Sequence, residues 1–256
     1  MPTALTGSSP LHSVARRADT PVLASYRLFV VALLGFASGL PLALTGQAMQ
    51  AWLSVEGLDV ATIGFLSLVG LPYTFKFLWA PLLDRFEWPG LGRRRGWMVV
   101  LQLALAGVLM LLSFTSPRDD LRAYALLAVL VAFLSASQDV VIDAYRTELL
   151  AVRERGLGSS LNVMGYRLAM IVSGGLAFIW TDAQQGGAWL WPQVYRLMAG
   201  LMVGAAVVSV LMLPRLAHKA EAPLESARQD LIGFAAVLVA VGVGFVLTDR
   251  YGPVSY

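Results

Sequence analysis

Long apolar runs alternate with short polar segments along most of this chain. Each run is close to the 20 or so mostly apolar residues that an α-helix needs to cross a bilayer. The runs do not show the roughly ten-residue alternating pattern of a membrane β-barrel. The pattern therefore predicts an all-α integral membrane protein. We expect six spanning helices, at Tyr26–Leu53, Val60–Leu83, Trp97–Phe114, Arg122–Tyr145, Leu157–Trp180 and Val194–Leu213.

The other segments flank this six-helix bundle, which occupies residues 26–213. Residues 1–25 are rich in Thr, Ser, Pro and Ala and have no apolar signal-peptide core, so we expect a disordered cytoplasmic tail. Residues 214–230 are polar and predict a cytoplasmic linker. Residues 231–256 begin with another apolar run, Leu231–Leu247, which predicts part of a further transmembrane helix. A single helix after a complete six-helix unit suggests the amino-terminal part of a longer transporter.

Composition supports a membrane protein and excludes several kinds of site. Hydrophobic residues make up 57% of the chain and charged residues 14%, whereas about a quarter of the residues in a soluble domain are charged. There are no cysteines, which excludes disulfides, thiolate nucleophiles and Cys-ligated zinc. The two histidines, His12 and His218, lie outside the apolar runs. We therefore predict no metal site and no cofactor.

The basic residues are concentrated on one side of the predicted topology. They flank the first helix, fill the loops after the second and fourth helices, and follow the sixth: Arg16, Arg17, Arg27, Arg85, Arg93, Arg94, Arg95, Arg146, Arg153, Arg155, Arg215, Lys219 and Arg228. The opposite loops carry Arg118, Arg122 and Arg196. Positively charged loops remain in the cytoplasm, so this asymmetry predicts a cytoplasmic amino terminus. It also explains the net charge of +3 without nucleic acid as a partner.

The loop after the second helix combines an acidic helix end with a basic cluster. It reads Ala80-Pro81-Leu82-Leu83-Asp84-Arg85 and then Gly92-Arg93-Arg94-Arg95. These charges predict a conformational latch between neighbouring helix ends, formed by Asp84, Arg85, Arg93, Arg94 and Arg95; a loop that serves orientation alone is the alternative. The pattern resembles the signature loop of the major facilitator superfamily. It differs in having Ala80 in place of the usual glycine and in the extra residues Glu87–Leu91.

Ionisable side chains inside the apolar runs are expensive to bury and usually face an interior cavity. Asp139 and Asp143 are four residues apart in the fourth helix and therefore lie on one face. At about 1.5 Å per residue, Lys76 and Arg167 reach a comparable depth in their own helices. We expect a buried polar cluster that binds substrate or joins helices, formed with the carboxylates by Gln47, Gln50, Lys76, Gln138 and Arg167.

Glycine and proline positions predict how the helices pack and bend. Gly35 and Gly39 in the first helix and Gly165, Gly174 and Gly175 in the fifth predict close helix contact, because small residues let helices approach in lipid; ligand contact is the alternative. Pro41 and Pro72 remove backbone hydrogen bonds and should loosen the first and second helices locally.

Long residue blocks identify a more specific resemblance, to the AmpG-type muropeptide permeases within the major facilitator superfamily. The blocks are GFASGLPLAL at 35–44, IGFLSLVGLPYTFKFLWAPLLDR at 63–85, GRRRGW at 92–97, SASQDVVIDAYRTELL at 135–150 and ERGLGSSLNVMGYRLAMIVSGGLA at 154–177. Together they cover the first five helices and their cytoplasmic loops.

The resemblance implies a bacterial inner-membrane importer of GlcNAc-anhydroMurNAc peptides, driven by proton symport. Such importers serve peptidoglycan recycling, and in some bacteria their products affect β-lactamase induction. A carboxy-terminal six-helix half is then expected as the partner of this bundle. We expect Asp139 or Asp143 to carry the coupled proton, with a static ion pair between the fourth and fifth helices as the alternative.

Other functions are compatible with the same pattern. A related permease would carry another solute, such as an acyl-CoA or a sugar conjugate. A non-transporting membrane scaffold or sensor would use the same bundle. A membrane enzyme acting on lipid-linked sugars would use paired carboxylates as acid and base, but the pair lies at buried depth without an obvious catalytic loop, so we predict that the chain is not an enzyme.

Overall fold

The computed structural model describes residues 21–88, 90–182, 187, 189–214 and 216. The predicted linker at 214–230 lies mostly outside the described residues, and the apolar run at 231–247 lies wholly outside them, as do residues 1–20 of the predicted tail. The described part contains α-helices and helical turns and no strand. The α-helices are α1 (Pro21–Thr45), α2 (Gln47–Val55), α3 (Val60–Leu66), α4 (Leu71–Phe75), α5 (Ala80–Arg85), α6 (Arg93–Leu112), α7 (Leu121–Leu149), α8 (Arg155–Met170), α9 (Ala177–Thr181) and α10 (Trp191–Met212).

Six helical stretches within the described residues are long and apolar enough to cross a membrane. We call them the first to sixth spans: Leu23–Val55, Val60–Leu78, Arg93–Leu112, Leu121–Leu149, Val152–Thr181 and Trp191–Met212. The six predicted spanning helices are therefore confirmed in number and approximate position. We call the end of the bundle that carries Arg27, Arg93 and Arg146 the basic end.

Two predicted boundaries at the basic end need correction. Helix α1 begins at Pro21, five residues before the predicted start, so residues 21–25 are helical and not part of a tail. Proline suits a first helical position because its missing N–H would have no partner there. Helix α6 begins at Arg93 and not at Trp97. The arginines fit its first turn because their long side chains can run along the helix and place their charges at the membrane surface.

The first and fifth spans pack with their backbones in contact. A Cβ atom added at Gly35 would overlap the carbonyl oxygen of Asn162, and one added at Gly39 would overlap that of Tyr166. From the other side, a Cβ at Gly165 would overlap the carbonyl oxygen of Ala32. The predicted role in close helix packing is confirmed for these three glycines. A Cβ at Gly174 would make only ordinary contact with Ala43, at 3.5 Å, and one at Gly175 would meet only Ile171 of its own span.

Three spans depart from regular α-helix. The first is interrupted at Gly46, five residues after Pro41 and between α1 and α2. The second is divided into short pieces, with 3-10 turns at Ser67–Gly70 and Lys76–Leu78 on either side of α4, which contains Pro72. The fifth contains a π-helical turn at Ile171–Leu176 between α8 and α9. The expected loosening near the prolines is confirmed, and the π turn could not be expected from proline positions.

Helix packing produces one apolar core in each half of the bundle. Trp52, Tyr124 and Tyr195 form the centre of the core far from the basic end, where the Tyr195 hydroxyl donates to the carbonyl of Leu44 at 2.8 Å. At the edge of that half, the Asp59 side chain caps α3 by accepting bonds from the Thr62 N–H at 2.9 Å and the Thr62 hydroxyl at 2.7 Å. These bonds hold the pKa of Asp59 below its usual range.

Candidate functional site

Two carboxylates of the fourth span share one cation from the second span. The Lys76 amino nitrogen lies 3.8 Å from a carboxylate oxygen of Asp139 and 3.9 Å from one of Asp143. The two acidic residues occupy one face of α7 because they are one helical turn apart. The predicted proximity of these three side chains is therefore present in the structure.

The two carboxylates have different surroundings. The Asp139 side chain is 12% exposed and accepts a hydrogen bond from the Ser38 hydroxyl, whereas Asp143 is 51% exposed. Asp143 also accepts a bond from Arg146 at 3.1 Å, one helical turn nearer the basic end. Asp139 is thus the buried member of the pair, and Asp143 is the one that solvent and Arg146 can reach.

The irregular backbone of the second span helps to place Lys76. This residue begins the 3-10 turn Lys76–Leu78, directly after the short helix α4 that contains Pro72. A 3-10 turn rotates successive side chains by about 120°, compared with about 100° in an α-helix. The change from α-helical to 3-10 geometry at this point therefore helps to set the direction in which the Lys76 side chain leaves the second span.

A cavity of about 260 Å³ opens beside this ionic group. It is lined by side chains of the first, second, fourth and fifth spans: Ser38, Lys76, Asp139, Ile142, Asp143, Asn162, Val163 and Tyr166. The buried Oδ1 atom of Asn162 has no hydrogen-bond partner among the described residues. The arrangement offers hydrogen-bond donors, acceptors and both signs of charge to a polar ligand or a proton.

Sequence reasoning missed several members of this site. Ser38, Asn162 and Tyr166 line the cavity, and Arg146 binds one of its carboxylates. The first three lie inside the blocks that carry the family resemblance, so a search of those blocks for polar residues on the cavity-facing helix sides would have found them. The sequence predicts Arg146 only as one of the loop charges that orient the chain in the membrane.

Arg167 does not join the cluster as predicted. Its side chain is exposed, and it makes no ion pair with Asp139 or Asp143 among the described residues. The reason is helical phase: Tyr166 faces the cavity, and the next residue points about 100° away from it.

The three predicted glutamines also lie outside the cavity lining. Gln138 is fully buried, and its amide has no hydrogen-bond partner in the described part of the chain. Gln47 and Gln50 are exposed in α2, on the far side of the Gly46 interruption. Their proposed substrate contact stays a prediction.

The charged loop after the second span forms a network with the end of the fourth. Arg94 pairs with Asp84 and, at 2.8 Å, with Glu148, and Arg93 lies 3.6 Å from the same glutamate. Glu148 was missed by sequence reasoning, although it is one helical turn and one residue beyond Asp143. Through Arg94, the network joins α5 to the third and fourth spans at the basic end.

Two predicted members of the latch behave differently. Arg95 donates to the backbone carbonyl of Val210 in the sixth span and makes no ion pair among the described residues. Arg85 is exposed and likewise has no ion pair in the part of the chain that the structure describes. It follows Asp84 at the end of α5, where its charge can remain in water. The structural network therefore consists of Asp84, Arg93, Arg94 and Glu148.

An ion pair that was not expected from the sequence connects the start of the fifth span to the first span. Arg27 donates to both carboxylate oxygens of Glu154, at 3.0 and 2.6 Å. Glu154 also accepts a bond from the Ala151 N–H at 3.3 Å. Among the described residues, no group of three His, Asp or Glu side chains could hold a metal ion.

Comparison with known proteins places these features in a family context. The Major Facilitator Superfamily matches residues 28–254. The "Anhydromuropeptide permease" of Escherichia coli (strain K12) is 49% identical over 185 residues, which cover 72% of this chain and 37% of that protein. An "Uncharacterized protein" of Haemophilus influenzae is 45% identical over 151 residues, covering 59% of the chain and 36% of the relative. The "Putative transporter AmpG 4" of Rickettsia conorii is 33% identical over 158 residues, covering 60% and 38% respectively. The chain thus spans well under half the length of these relatives.

Proposed function

Because this chain belongs to the major facilitator superfamily, we propose that it is the amino-terminal part of a transporter that imports anhydromuropeptides across the bacterial inner membrane by proton symport. The proposed substrate is supported by the 49% identity to the anhydromuropeptide permease of Escherichia coli over 185 residues. The carboxy-terminal half of the transporter would supply the second wall of the cavity.

The carboxylate pair provides a physical basis for proton coupling. Lys76 is nearly equidistant from Asp139 and Asp143, at 3.8 and 3.9 Å. When Asp139 takes up a proton, it loses its attraction for the ammonium group, and Lys76 is then held by Asp143 alone. Loss of the proton restores the shared arrangement. Protonation thereby changes the contact between the second and fourth spans, which is the kind of change that alternating access requires.

The proton assignment is tested by comparing two modes of transport in the complete transporter. Asp139→Asn and Asp143→Asn should each abolish accumulation of labelled anhydromuropeptide driven by an imposed proton gradient. Downhill exchange of substrate should survive in part, because exchange needs no net proton movement. Asp119→Asn is the matched control, since Asp119 is an exposed residue of the loop between the third and fourth spans.

One result would contradict the proton assignment. If both single Asn variants at positions 139 and 143 accumulate substrate as fully as the unaltered protein, neither carboxylate couples protons. Lys76 would then serve only to neutralise the charges of the fourth span.

The proposed orientation places the basic end in the cytoplasm, because the arginines of the described loops gather there. The chain has no cysteine of its own, so single cysteines can be introduced without a background. A cysteine at Gly92 should react with a membrane-impermeant maleimide only after the membrane is opened. A cysteine at Asp119 should react in intact spheroplasts. Labelling of position 92 in intact spheroplasts would contradict the orientation.

A further inference from the structure

Buried hydroxyl groups lie beside Asp139 on the side away from the basic end. Ser135 is one helical turn before Asp139 in the fourth span and is fully buried. Tyr73 is three residues before Lys76 in the second span. Neither hydroxyl oxygen has a hydrogen-bond partner among the described residues. Phe and Ala would fill the same positions without burying a polar group, so these two hydroxyls call for an explanation.

The hydroxyls of three different spans converge at this point. Helix α4, which carries Tyr73, packs against the fourth span, and Asp139 and Tyr166 line the same cavity. The Tyr73 hydroxyl is near those of Ser135 and of Thr45 in the first span. The Thr45 hydroxyl donates its hydrogen to the carbonyls of Pro41 and Leu42, at 3.2 Å each. Its oxygen lone pairs therefore remain available as acceptors.

The hydroxyl groups of Ser135, Tyr73 and Thr45 follow one direction along the bundle. Ser38 marks the level of Asp139 on the first span, because its hydroxyl bonds that carboxylate. Thr45 is seven residues further along α1, which corresponds to about 10 Å along the helix axis. Tyr73 and Ser135 lie between these two levels. The hydroxyls thus extend from the carboxylate towards the end of the bundle that we place in the periplasm.

We propose that Tyr73, with Ser135 and Thr45, holds ordered water and relays protons between Asp139 and the periplasmic half of the bundle. This inference rests on the proposed function, since it supplies the proton that Asp139 is proposed to carry. Tyr73 and Ser135 make no hydrogen bond to each other, so in this proposal bridging water completes the path. Buried polar sites of this kind hold water through two to four hydrogen bonds.

Each step of the relay conserves charge and atoms. A proton reaches water beside Thr45, the Tyr73 oxygen accepts a proton from that water, and the hydroxyl gives its own proton to water beside Ser135. The Asp139 carboxylate receives the last proton and becomes neutral, and rotation of the hydroxyls restores the starting arrangement. The ionisable groups that face Asp139 during this process are Lys76 and Tyr73 of the second span, Asp143 of its own helix and Tyr166 of the fifth.

The test uses Tyr73→Phe in the complete transporter, because this change removes the hydroxyl and keeps the ring. Proton-driven anhydromuropeptide uptake should fall by about tenfold or more, as for loss of a group that transfers protons. Downhill exchange should change little. The ratio of proton-driven rates in H₂O and D₂O should rise, because proton delivery becomes the slow step. Ser135→Ala should also lower proton-driven uptake and raise the isotope ratio. It replaces Tyr73→Phe as the test if that variant does not accumulate in the membrane.

Tyr124→Phe is the matched control. Tyr124 is fully buried and its hydroxyl likewise has no hydrogen-bond partner among the described residues, but it packs against Trp52 and lies fifteen residues before Asp139 in the fourth span, about 22 Å away along the helix. It should leave both transport modes and the isotope ratio unchanged.

Three outcomes would overturn the relay. Unchanged proton-driven uptake in both Tyr73→Phe and Ser135→Ala would show that the hydroxyls carry no protons. An equal loss of uptake and exchange, with no change in the isotope ratio, would assign them a structural role. Retained proton-driven uptake in Asp139→Asn would overturn the coupling role of the carboxylate and the relay with it. The first outcome, together with loss of proton-driven uptake in Asp139→Asn, would overturn the relay alone.

Discussion

Burial, more than distance, distinguishes the two carboxylates at the residue scale. Lys76 is about equally far from both, but Asp139 is largely shielded from water while half of Asp143 is exposed. An ionised carboxylate loses hydration when it is buried, and Asp139 replaces part of that loss with the Ser38 hydroxyl and Lys76. Asp143 retains water and gains Arg146. A proton added to this pair therefore relieves the larger desolvation cost at Asp139, which makes it our first choice as the carrier.

The glycine contacts give a stability prediction at the same scale. Gly35→Ala should lower the free energy of unfolding by about 1 to 3 kcal/mol, because the new methyl group overlaps the Asn162 carbonyl and the backbones must separate. Gly200→Ala is the control: its Cβ would meet nothing within 4 Å, and alanine is the better helix former. Thermal unfolding in detergent, followed by size-exclusion chromatography of heated samples, measures the difference. Equal melting temperatures for the two variants would mean that the first and fifth spans are not in backbone contact.

At the element scale, the sequence was informative about which segments are helical and less so about how they bend. The apolar runs located all six spans because each must satisfy its own backbone within the bilayer. Pro72 predicted the interruption of the second span, because proline disrupts backbone hydrogen bonding in a helix interior. The π turn at Ile171–Leu176 had no comparable signal. This turn packs against the first span, and such a contact between distant segments cannot be read from the sequence of the fifth span alone.

The sequence likewise predicted some side-chain partners correctly and others incorrectly. Asp139, Asp143 and Lys76 were found because charged residues are conspicuous in apolar runs. Arg167 was equally conspicuous but wrong as a partner, since depth was matched and helical phase was not. Ser38 and Asn162 were missed because small polar residues occur in membrane helices for many structural reasons.

The network at the basic end yields a prediction about helix ends. Arg94→Gln and Glu148→Gln should each destabilise the bundle, and the double variant should lose less than the sum of the two. We expect a coupling energy of about 1 kcal/mol, because the two groups are in direct contact at 2.8 Å and Arg94 is largely buried. A double-mutant cycle on unfolding in detergent measures it.

Arg85→Gln serves as the control for this cycle. Arg85 is exposed near the same loop and makes no ion pair among the described residues, so its loss should be close to neutral. Additive effects of the Arg94 and Glu148 substitutions would show that their ion pair contributes nothing to the folded bundle. The movement of this network between transport states stays a prediction.

At the scale of the whole molecule, fold and substrate rest on different kinds of information. The apolar periodicity and the loop charges are physical requirements of any membrane bundle, so they predict architecture and orientation. Substrate identity has no such general code, and the cavity of about 260 Å³ would admit many polar groups. The proposed muropeptide substrate therefore depends on similarity to named relatives, which for the anhydromuropeptide permease of Escherichia coli extends over 185 residues.

The proposed transport cycle makes a last prediction about the chain by itself. In superfamily transporters the substrate site lies between two bundles, and access alternates as one moves against the other. This chain spans 37% of the length of the anhydromuropeptide permease of Escherichia coli, and in our proposal it forms one wall of such a site. Expressed alone, the 256 residues should insert in the membrane but give no uptake of labelled anhydromuropeptide above an empty vector. Co-expression with the carboxy-terminal part of that permease as a separate chain should restore uptake, with Asp139→Asn as the inactive control for the restored transporter. Uptake by the 256-residue chain alone would contradict the two-bundle requirement, and it would mean that copies of this one bundle can form both walls of the cavity.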